Sequence, residues 1–152
     1  MKRLIQFLFP VSKGQTAYSL LLLALRLIFG GLILIHGLEK ITAYEFMKFT
    51  FPDPIGWGSQ ISLLMVICAE VICAAFVVAG FLTRPMTLPI IFSMIMAAFV
   101  IHAGQSFNMK ELAVIYMIGF TLLLITGPGR FSLDNAFGKM LQKHQQQPAP
   151  AQ

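Results

Sequence analysis

Charged side chains are scarce in this 152-residue chain, where Asp, Glu, Lys and Arg make up only 11% of the residues. A typical soluble domain contains about 25% of them. Hydrophobic residues reach 57%, and one soluble core of this size could not bury so much apolar surface. The composition therefore excludes an ordinary soluble domain and predicts a single domain whose solvent is lipid.

Cysteine is also nearly absent, because the chain has only Cys68 and Cys73. Residues five apart on one helix point about 140° away from each other, so these two thiols cannot pair. They form neither a C-x-x-C redox motif nor a metal-binding spacing, and no flavin, haem or iron–sulfur signature is present. The sequence therefore predicts two buried, inert thiols, no metal site and no intrinsic cofactor.

Long apolar runs dominate what is present. Each is close to the roughly 20 residues that a helix needs to cross a bilayer, and together they cover residues 18–36, 59–80, 86–102 and 109–126. Unpaired backbone groups are not tolerated in lipid, so each run should be a helix. Turn-forming sequences at residues 83–85 (TRP) and 127–129 (GPG) end the second and fourth runs. We therefore predict an all-α fold, an integral membrane four-helix bundle.

The two ends of the chain are predicted to lie outside the bundle. The first residues, MKRLIQFLF, carry the charges of a signal peptide, but the apolar stretch is short and no small-residue cleavage site follows. We predict that residues 1–17 form an interfacial segment on the membrane surface and that the first span acts as an uncleaved signal anchor. Residues 137–152 end in the polar sequence QKHQQQPAPAQ and are predicted to be a disordered tail.

Lysine and arginine are unevenly divided between the two sides of the predicted bundle. Seven lie in the two terminal segments and the second connection, against three in the first and third connections. Cytoplasmic segments are enriched in these residues, so both termini, with the tail, are predicted to be cytoplasmic. The net charge of +5 forms no stripe along the chain, so the expected partner is a lipid bilayer and not nucleic acid.

Two charged residues lie deep within the predicted spans. Counted from the outer ends of the first two runs, Arg26 and Glu70 both lie about 15 Å deep. Because the two runs would be antiparallel neighbours, this depth predicts an Arg26–Glu70 ion pair near the middle of the membrane. Such a pair either fixes the register of the helices or forms a site for a polar head group, a quinone carbonyl or a proton.

A second group of polar residues is predicted at the outer membrane face. His36 and Lys40 are four apart and share one side of the first helix, and Lys40 is only about 40° around that helix from Arg26. The third run ends at His102 on the same face. Each of these residues could alternatively be an ordinary interfacial side chain. The candidate ligand-binding pocket therefore comprises Arg26, His36, Lys40, Glu70, His102 and Glu111.

Small residues mark the surfaces on which the first two spans are expected to pack. Gly30 and Gly31 lie in the first run, and Ala74 and Ala75 lie in the second. Residues without a bulky side chain let two membrane helices approach closely. We therefore predict a close contact between the first and second spans at these positions.

Several motifs, in order along most of the chain, carry a family resemblance. They are LALRLIFGGLILIHGLEKI at residues 23–41, the apolar run with Glu70, GFLTRP at 80–85, His102, and GPGRFSLD at 127–134. With these motifs the chain resembles the DoxX family of small bacterial inner-membrane proteins, over residues 18–136. The resemblance implies a multi-pass four-helix bundle in the bacterial inner membrane. Some relatives are linked to thiosulfate:quinone oxidoreductase, and others to membrane-associated redox and thiol-stress complexes.

Three functional interpretations stay open on the sequence alone. The first is a non-catalytic or quinone-interacting membrane subunit of an oxidoreductase or thiol-stress system, which would need a bound quinone or a redox protein partner. The second is a structural or assembly protein that holds partners through its helices. The third is a transporter of a small amphiphile, for which four short helices leave little room unless the protein forms a homo-oligomer.

Overall fold

A computed structural model describes residues 16–145, and all regular secondary structure within that range is helical. Four of the helices are long and apolar enough to cross a membrane. We call them spans one to four, and they extend over Thr16–Thr42, Ser59–Ala79, Thr83–Ile101 and Phe107–Thr126. The predicted all-α membrane bundle of four helices is confirmed.

Two shorter helices lie outside the spans. Tyr44–Met47 follows span one, and Leu133–Gln145 follows span four. Four crossings return the chain to the side on which span one begins. We call the side with residues 43–58 and 102–106 the loop face, and the side with residues 80–82 and 127–132 the termini face. That the termini face is the cytoplasmic one stays a prediction from the Lys and Arg count.

Span one is longer than the sequence predicted. It continues through Gly37 and ends at Thr42, not at residue 36. The residues after Gly37 are Leu, Glu and Lys, which favour helices, and Gly37 itself is buried against span two. Gly37 makes a helix contact and does not end the helix. The loop-face end of span one therefore lies more than one turn beyond residue 36, where it was predicted.

The predicted disordered tail is also partly wrong. The structure has a helix over Leu133–Gln145, whereas disorder was expected from residue 137. Glutamine, lysine and methionine are good helix formers, and Asp134 fastens the first turn of this helix to the bundle. Residues 146–152, and most of the predicted interfacial segment at residues 1–15, lie outside the described part of the chain.

Spans one and two touch through two glycines. A Cβ atom added to Gly30 would lie 2.7 Å from Val78 Cγ2, and one added to Gly37 would lie 2.6 Å from Val71 Cγ2. Gly31, in contrast, has nothing within 4 Å of such an atom. The predicted small-residue contact is therefore correct for the face with Gly30, where Ala74 is buried, and wrong for the face with Gly31 and the exposed Ala75.

Each span turns one side to the bundle and the other to lipid. The buried core is apolar and is built from all four spans; its members are Ile33, Ala69, Ala74, Val77, Ile90, Met94, Tyr116, Phe120 and Leu123. The outward sides carry exposed large hydrophobic residues along their whole length, as expected for helices whose solvent is lipid. Cys68 is on that outward side and Cys73 is half-buried, so the prediction of two buried thiols is wrong for Cys68.

Candidate functional site

A cavity of about 320 Å³ lies between spans two and three in the half of the bundle near the loop face. Residues 51–55 of the first connection form its roof, and Lys40 of span one reaches its side. Its walls are mainly apolar, from residues such as Met65, Ala69 and Phe92. Ligand sites in proteins are commonly apolar cavities of about 300–1,000 Å³ with a few polar groups, and this cavity fits that description.

A part-buried ion pair lies in the wall of the cavity. Lys40 Nζ donates a hydrogen bond to Glu70 Oε2 over 2.5 Å; the Glu70 side chain is 4% exposed and that of Lys40 is 23% exposed. Side chains of a helix point back toward its N-terminus, so Lys40 reaches from near the end of span one to the deeper Glu70. Both residues line the cavity.

The predicted Arg26–Glu70 pair is wrong. Glu70 lies opposite Gly37, where an added Cβ atom would be 2.9 Å from the carbonyl carbon of Glu70. Gly37 is about 16 Å further along the helix axis than Arg26. The depth of Arg26 had been counted from residue 36, and because span one ends at Thr42, Arg26 lies near the opposite face. The partner of Glu70 is instead Lys40, which lies four residues beyond the predicted end of span one.

Both spans that enclose the cavity change to π-helix beside it. Cys68–Cys73 is π-helical and contains Glu70, and Met96–Ile101 is π-helical and ends next to His102. A π-turn is a rare i→i+5 widening that is found mostly at functional sites. These turns aim Glu70 and the end of span three at the cavity, and no periodicity in the sequence revealed them.

Three charged or ionisable side chains therefore line the cavity: Lys40, Glu70 and His102. His102 Nδ1 is 2.8 Å from Gln105 Oε1, a contact that orients the imidazole at the loop-face end. The two serines in the lining use their hydroxyl protons elsewhere. Ser62 donates to Asp53 and Ser93 donates to the carbonyl of Ile90, so Lys40, Glu70 and His102 are left as the groups that can recognise a ligand.

The other residues of the predicted pocket lie elsewhere. His36 Nδ1 is 3.4 Å from Glu39 Oε2, and its ring packs edge-on against Tyr116 at 5.9 Å between centroids. His36 is close enough to interact electrostatically with Glu70 but does not line the cavity. Glu111 is exposed on span four. The structure thus brings together three of the six predicted site residues, and separates Arg26, His36 and Glu111 from them.

The roof of the cavity is held by one carboxylate that the sequence did not single out. Asp53 accepts hydrogen bonds from the backbone N–H groups of Gly56, Trp57 and Gly58 and from the hydroxyl of Ser62. The bond from Ser62 and those from the loop hold the pKa of Asp53 below its ordinary value. An Asp followed by turn formers is the typical signal for such a loop, and the sequence FPDPIGWG contains it.

Arg26 belongs to a different network, at the termini face. Its Nη1 donates to the carbonyl of Pro128 over 2.6 Å and its Nη2 donates to the carbonyl of Val78 over 3.2 Å. The guanidinium is packed on Gly80, where an added Cβ atom would lie 2.6 Å from Nη1. Arg26 is only 1% exposed, so this network leaves no room for a ligand.

Asp134 completes that network from the C-terminal helix. Its Oδ1 accepts from the Leu82 N–H over 2.7 Å, and its Oδ2 accepts from the Thr83 N–H and hydroxyl, each over 3.0 Å. These donors are at the start of span three, where the first N–H groups of a helix have no partner within it. The motifs GFLTRP and GPGRFSLD therefore meet in space and join spans one, two and three to the C-terminal helix.

A comparison with known families shows to which family this chain is related. The profile of the DoxX family matches residues 21–103, which is more than half of the chain. The chain belongs to the DoxX family. No curated protein and no solved structure matches it.

The DoxX match covers the cavity and not the whole termini-face network. Residues 21–103 include Lys40, Glu70 and His102, together with Arg26 and His36. Asp134 and Glu111 lie beyond the match. The chain is thus a multi-pass DoxX-family membrane protein, and the domain limits predicted at residues 18 and 136 stay predictions.

The chemistry of the DoxX cavity is that of a polar recognition point in an apolar pocket. The ammonium of Lys40 has three N–H donors, and its hydrogen bond to Glu70 occupies one of them. Glu70 can accept a hydrogen bond at its second oxygen. His102 can donate or accept a hydrogen bond, depending on its tautomer. A ligand with an apolar body and one or two carbonyl or hydroxyl oxygens matches this arrangement.

Proposed function

We propose that this DoxX-family protein binds the head group of a membrane quinone in the cavity beside Lys40 and Glu70. The observation that carries the proposal is an ion pair with a buried carboxylate in the wall of an apolar cavity of about 320 Å³. Burying the charge of Glu70 is costly, and a pair that served only to hold two helices together would not need a cavity beside it. Lys40 and His102 are the donors for the two quinone carbonyls.

The walls of the cavity favour a ligand that arrives from the membrane. Met65 and Phe92 line the cavity and are also exposed on the outward surface of spans two and three. In this bundle that surface faces lipid. A quinone head group can therefore enter between these two side chains while its isoprenoid tail stays in the bilayer.

A bound quinone would supply the electron-transfer chemistry, and the protein's own residues would bind and orient it. Lys40 orients one carbonyl by donating a hydrogen bond, and Glu70 holds the ammonium in place. His102 is the donor for the second carbonyl at the loop-face end. Electrons would come from a redox protein partner, so we propose a membrane subunit of an oxidoreductase or thiol-stress system in the bacterial inner membrane, with cytoplasmic termini.

The two other interpretations receive less support from the geometry. A transporter needs a path to both faces, and the termini-face half of the bundle is filled by the Arg26 and Asp134 network. A purely structural role explains that network well, but it does not explain the space beside Glu70.

The test is quinone binding by the intact protein in lipid nanodiscs. Short-chain ubiquinone and menaquinone analogues are titrated against the wild type, Glu70→Gln and Lys40→Met. The matched control is the Lys48–Glu45 pair, which has the same 2.5 Å separation and a lysine of similar exposure, but whose glutamate is 81% exposed at the loop face. We expect Lys40→Met to weaken binding about tenfold or more, as for loss of a charged hydrogen bond, and Lys48→Met to leave it unchanged.

Two results would overturn the proposal. The first is a wild-type protein that binds neither analogue and carries no quinone in native mass spectrometry after gentle release from its own membrane. The second is a folded Lys40→Met variant that binds as tightly as the wild type. A charge-swapped variant, Lys40→Glu with Glu70→Lys, separates ligand recognition from helix register, because it keeps an ion pair between the spans but moves the ammonium.

A further inference from the structure

The C-terminal helix, Leu133–Gln145, has three distinct sides. At about 100° per residue, Asp134, Asn135 and Gly138 fall on one side, and all three are buried against the bundle. The other two sides of the helix are exposed. What occupies them is independent of the quinone proposal, because this helix lies at the termini face and not at the cavity.

The second side is apolar and exposed. Leu133, Phe137, Met140 and Leu141 lie within an arc of about 100°, and Met140 is 61% exposed. Phe131, just before the helix, is also exposed. Phe137 contacts Phe81 with 5.7 Å between ring centroids, which places the apolar side next to the end of span two. An amphipathic helix with such a side is typical of proteins that lie in a membrane interface.

The third side is basic. Lys139 and Lys143 lie about 40° apart, roughly 110° around the helix from the centre of the buried side, and both are exposed. Arg130 precedes the helix and is exposed too. The only acidic residue of residues 127–145 is Asp134, which is fully buried and bonded to Leu82 and Thr83. The exposed charge of this segment is therefore positive throughout.

The position of the helix is fixed at the boundary of the bilayer. The Asp134 N–H donates to the carbonyl of Gly80 over 2.9 Å, and the Asp134 carboxylate accepts from the start of span three. Gly80 directly follows the end of span two at Ala79. A helix of 13 residues that begins there extends about 20 Å, and the contact between Phe137 and Phe81 keeps its apolar side next to the end of span two.

We propose that the C-terminal helix lies in the membrane interface at the termini face and that Arg130, Lys139 and Lys143 bind the phosphates of anionic phospholipids. The apolar side enters the upper acyl region while the basic side stays at head-group depth. The charge complementarity between three exposed cations and an anionic leaflet selects lipid as the occupant.

The depth of the helix is tested first by site-directed spin labelling. In a Cys68→Ala, Cys73→Ala background, single cysteines replace Met140 on the apolar side and Lys139 on the basic side, about 100° away. The full chain is reconstituted in vesicles of phosphatidylcholine and phosphatidylglycerol. We expect the label at 140 to be accessible to oxygen and shielded from a water-soluble nickel chelate, and the label at 139 to show the reverse. Equal exposure of both labels to the chelate would overturn the interfacial placement.

Lipid selectivity is tested by replacing the two lysines of the basic side. Lys139→Gln with Lys143→Gln is compared with Lys110→Gln, on the opposite membrane face, in nanodiscs of the same mixed composition. Native mass spectrometry measures the ratio of phosphatidylglycerol to phosphatidylcholine that stays bound. We expect the double variant to lower this ratio by at least about fivefold, which is the effect of a single lysine at an anionic surface, and Lys110→Gln to leave it unchanged. An unchanged ratio, or disulfide cross-linking between two copies through position 140, would overturn lipid as the occupant.

Discussion

The two halves of the bundle both bury charge, but they differ in what surrounds it. At the loop face, Lys40 and Glu70 pair with each other in the wall of a cavity. At the termini face, Arg26 and Asp134 bond mainly to backbone groups, and the chain is packed closely around them. A charged side chain that bonds to otherwise unpaired backbone N–H and C=O groups has a structural role. An ion pair in the wall of a cavity can also contact a ligand. The comparison therefore supports a structural role for the termini-face half, and it is the basis of the ligand-binding role proposed for the loop-face half.

The largest effect on stability is expected at the termini face. The double variant Arg26→Met with Asp134→Leu leaves the carbonyl of Pro128 and the N–H groups of Leu82 and Thr83 without partners. Each unpaired buried group costs about 1–3 kcal/mol, so unfolding should become easier by at least about 3 kcal/mol. Thermal unfolding in one detergent, followed by circular dichroism, measures this. If the double variant is as stable as one at the exposed Glu45–Lys48 pair, the network is not structural.

The contact between spans one and two should be the next most sensitive. In Gly37→Ala, the new methyl group would lie 2.6 Å from Val71 Cγ2 and 2.9 Å from Glu70 Cβ. Forcing the helices apart should cost about 1–3 kcal/mol and lengthen the Lys40–Glu70 bond. Gly31→Ala is the matched control, because nothing lies within 4 Å of its added methyl group. Equal losses in unfolding temperature for the two variants would contradict the observed helix contact.

The ion pair at the cavity should matter little for stability and much for binding. Replacing both partners, as in Lys40→Met with Glu70→Met, removes two buried charges together, a change that is often neutral or stabilising. We expect an unfolding free energy within about 1 kcal/mol of the wild type, and loss of quinone binding in nanodiscs. A destabilisation as large as that of the Arg26 and Asp134 variant would erase the difference between the two halves.

The smallest effect is expected in the roof of the cavity, and it depends on pH. Because hydrogen bonds lower the folded-state pKa of Asp53, its contribution is complete above the ordinary Asp pKa and is lost as the pH falls through the lower folded value. Trp57, the only tryptophan of the chain, donates its backbone N–H to Asp53 and reports the change by fluorescence. We expect an acid transition in the wild type and none in Asp53→Ala; an identical transition in both would show that another group titrates.

Local pattern was sufficient for much of this description. The spans at 59–80 and 109–126 were predicted nearly to the residue, because turn formers bound them on both sides. Span one was harder, because Gly37 signals an end in sequence but serves a contact in space. That one misplaced end moved Arg26 to the wrong depth and gave Glu70 the wrong partner. The π-turns and the hydrogen bonds of Asp134 were not predicted, since neither produces a periodic pattern in the sequence.

The sequence by itself determined that the protein lies in lipid, that four helices can cross the membrane, and that the chain belongs to the DoxX family. Those properties depend on the amount of apolar surface and the length of each run, which can be counted along the chain. Tertiary structure alone decided that Lys40 meets Glu70, that Arg26 meets Pro128, and that a cavity lies beside the first of these pairs. Depth along a helix follows from counting residues, but partner choice depends on the register between helices, and here that register is set by the contacts of Gly30 and Gly37.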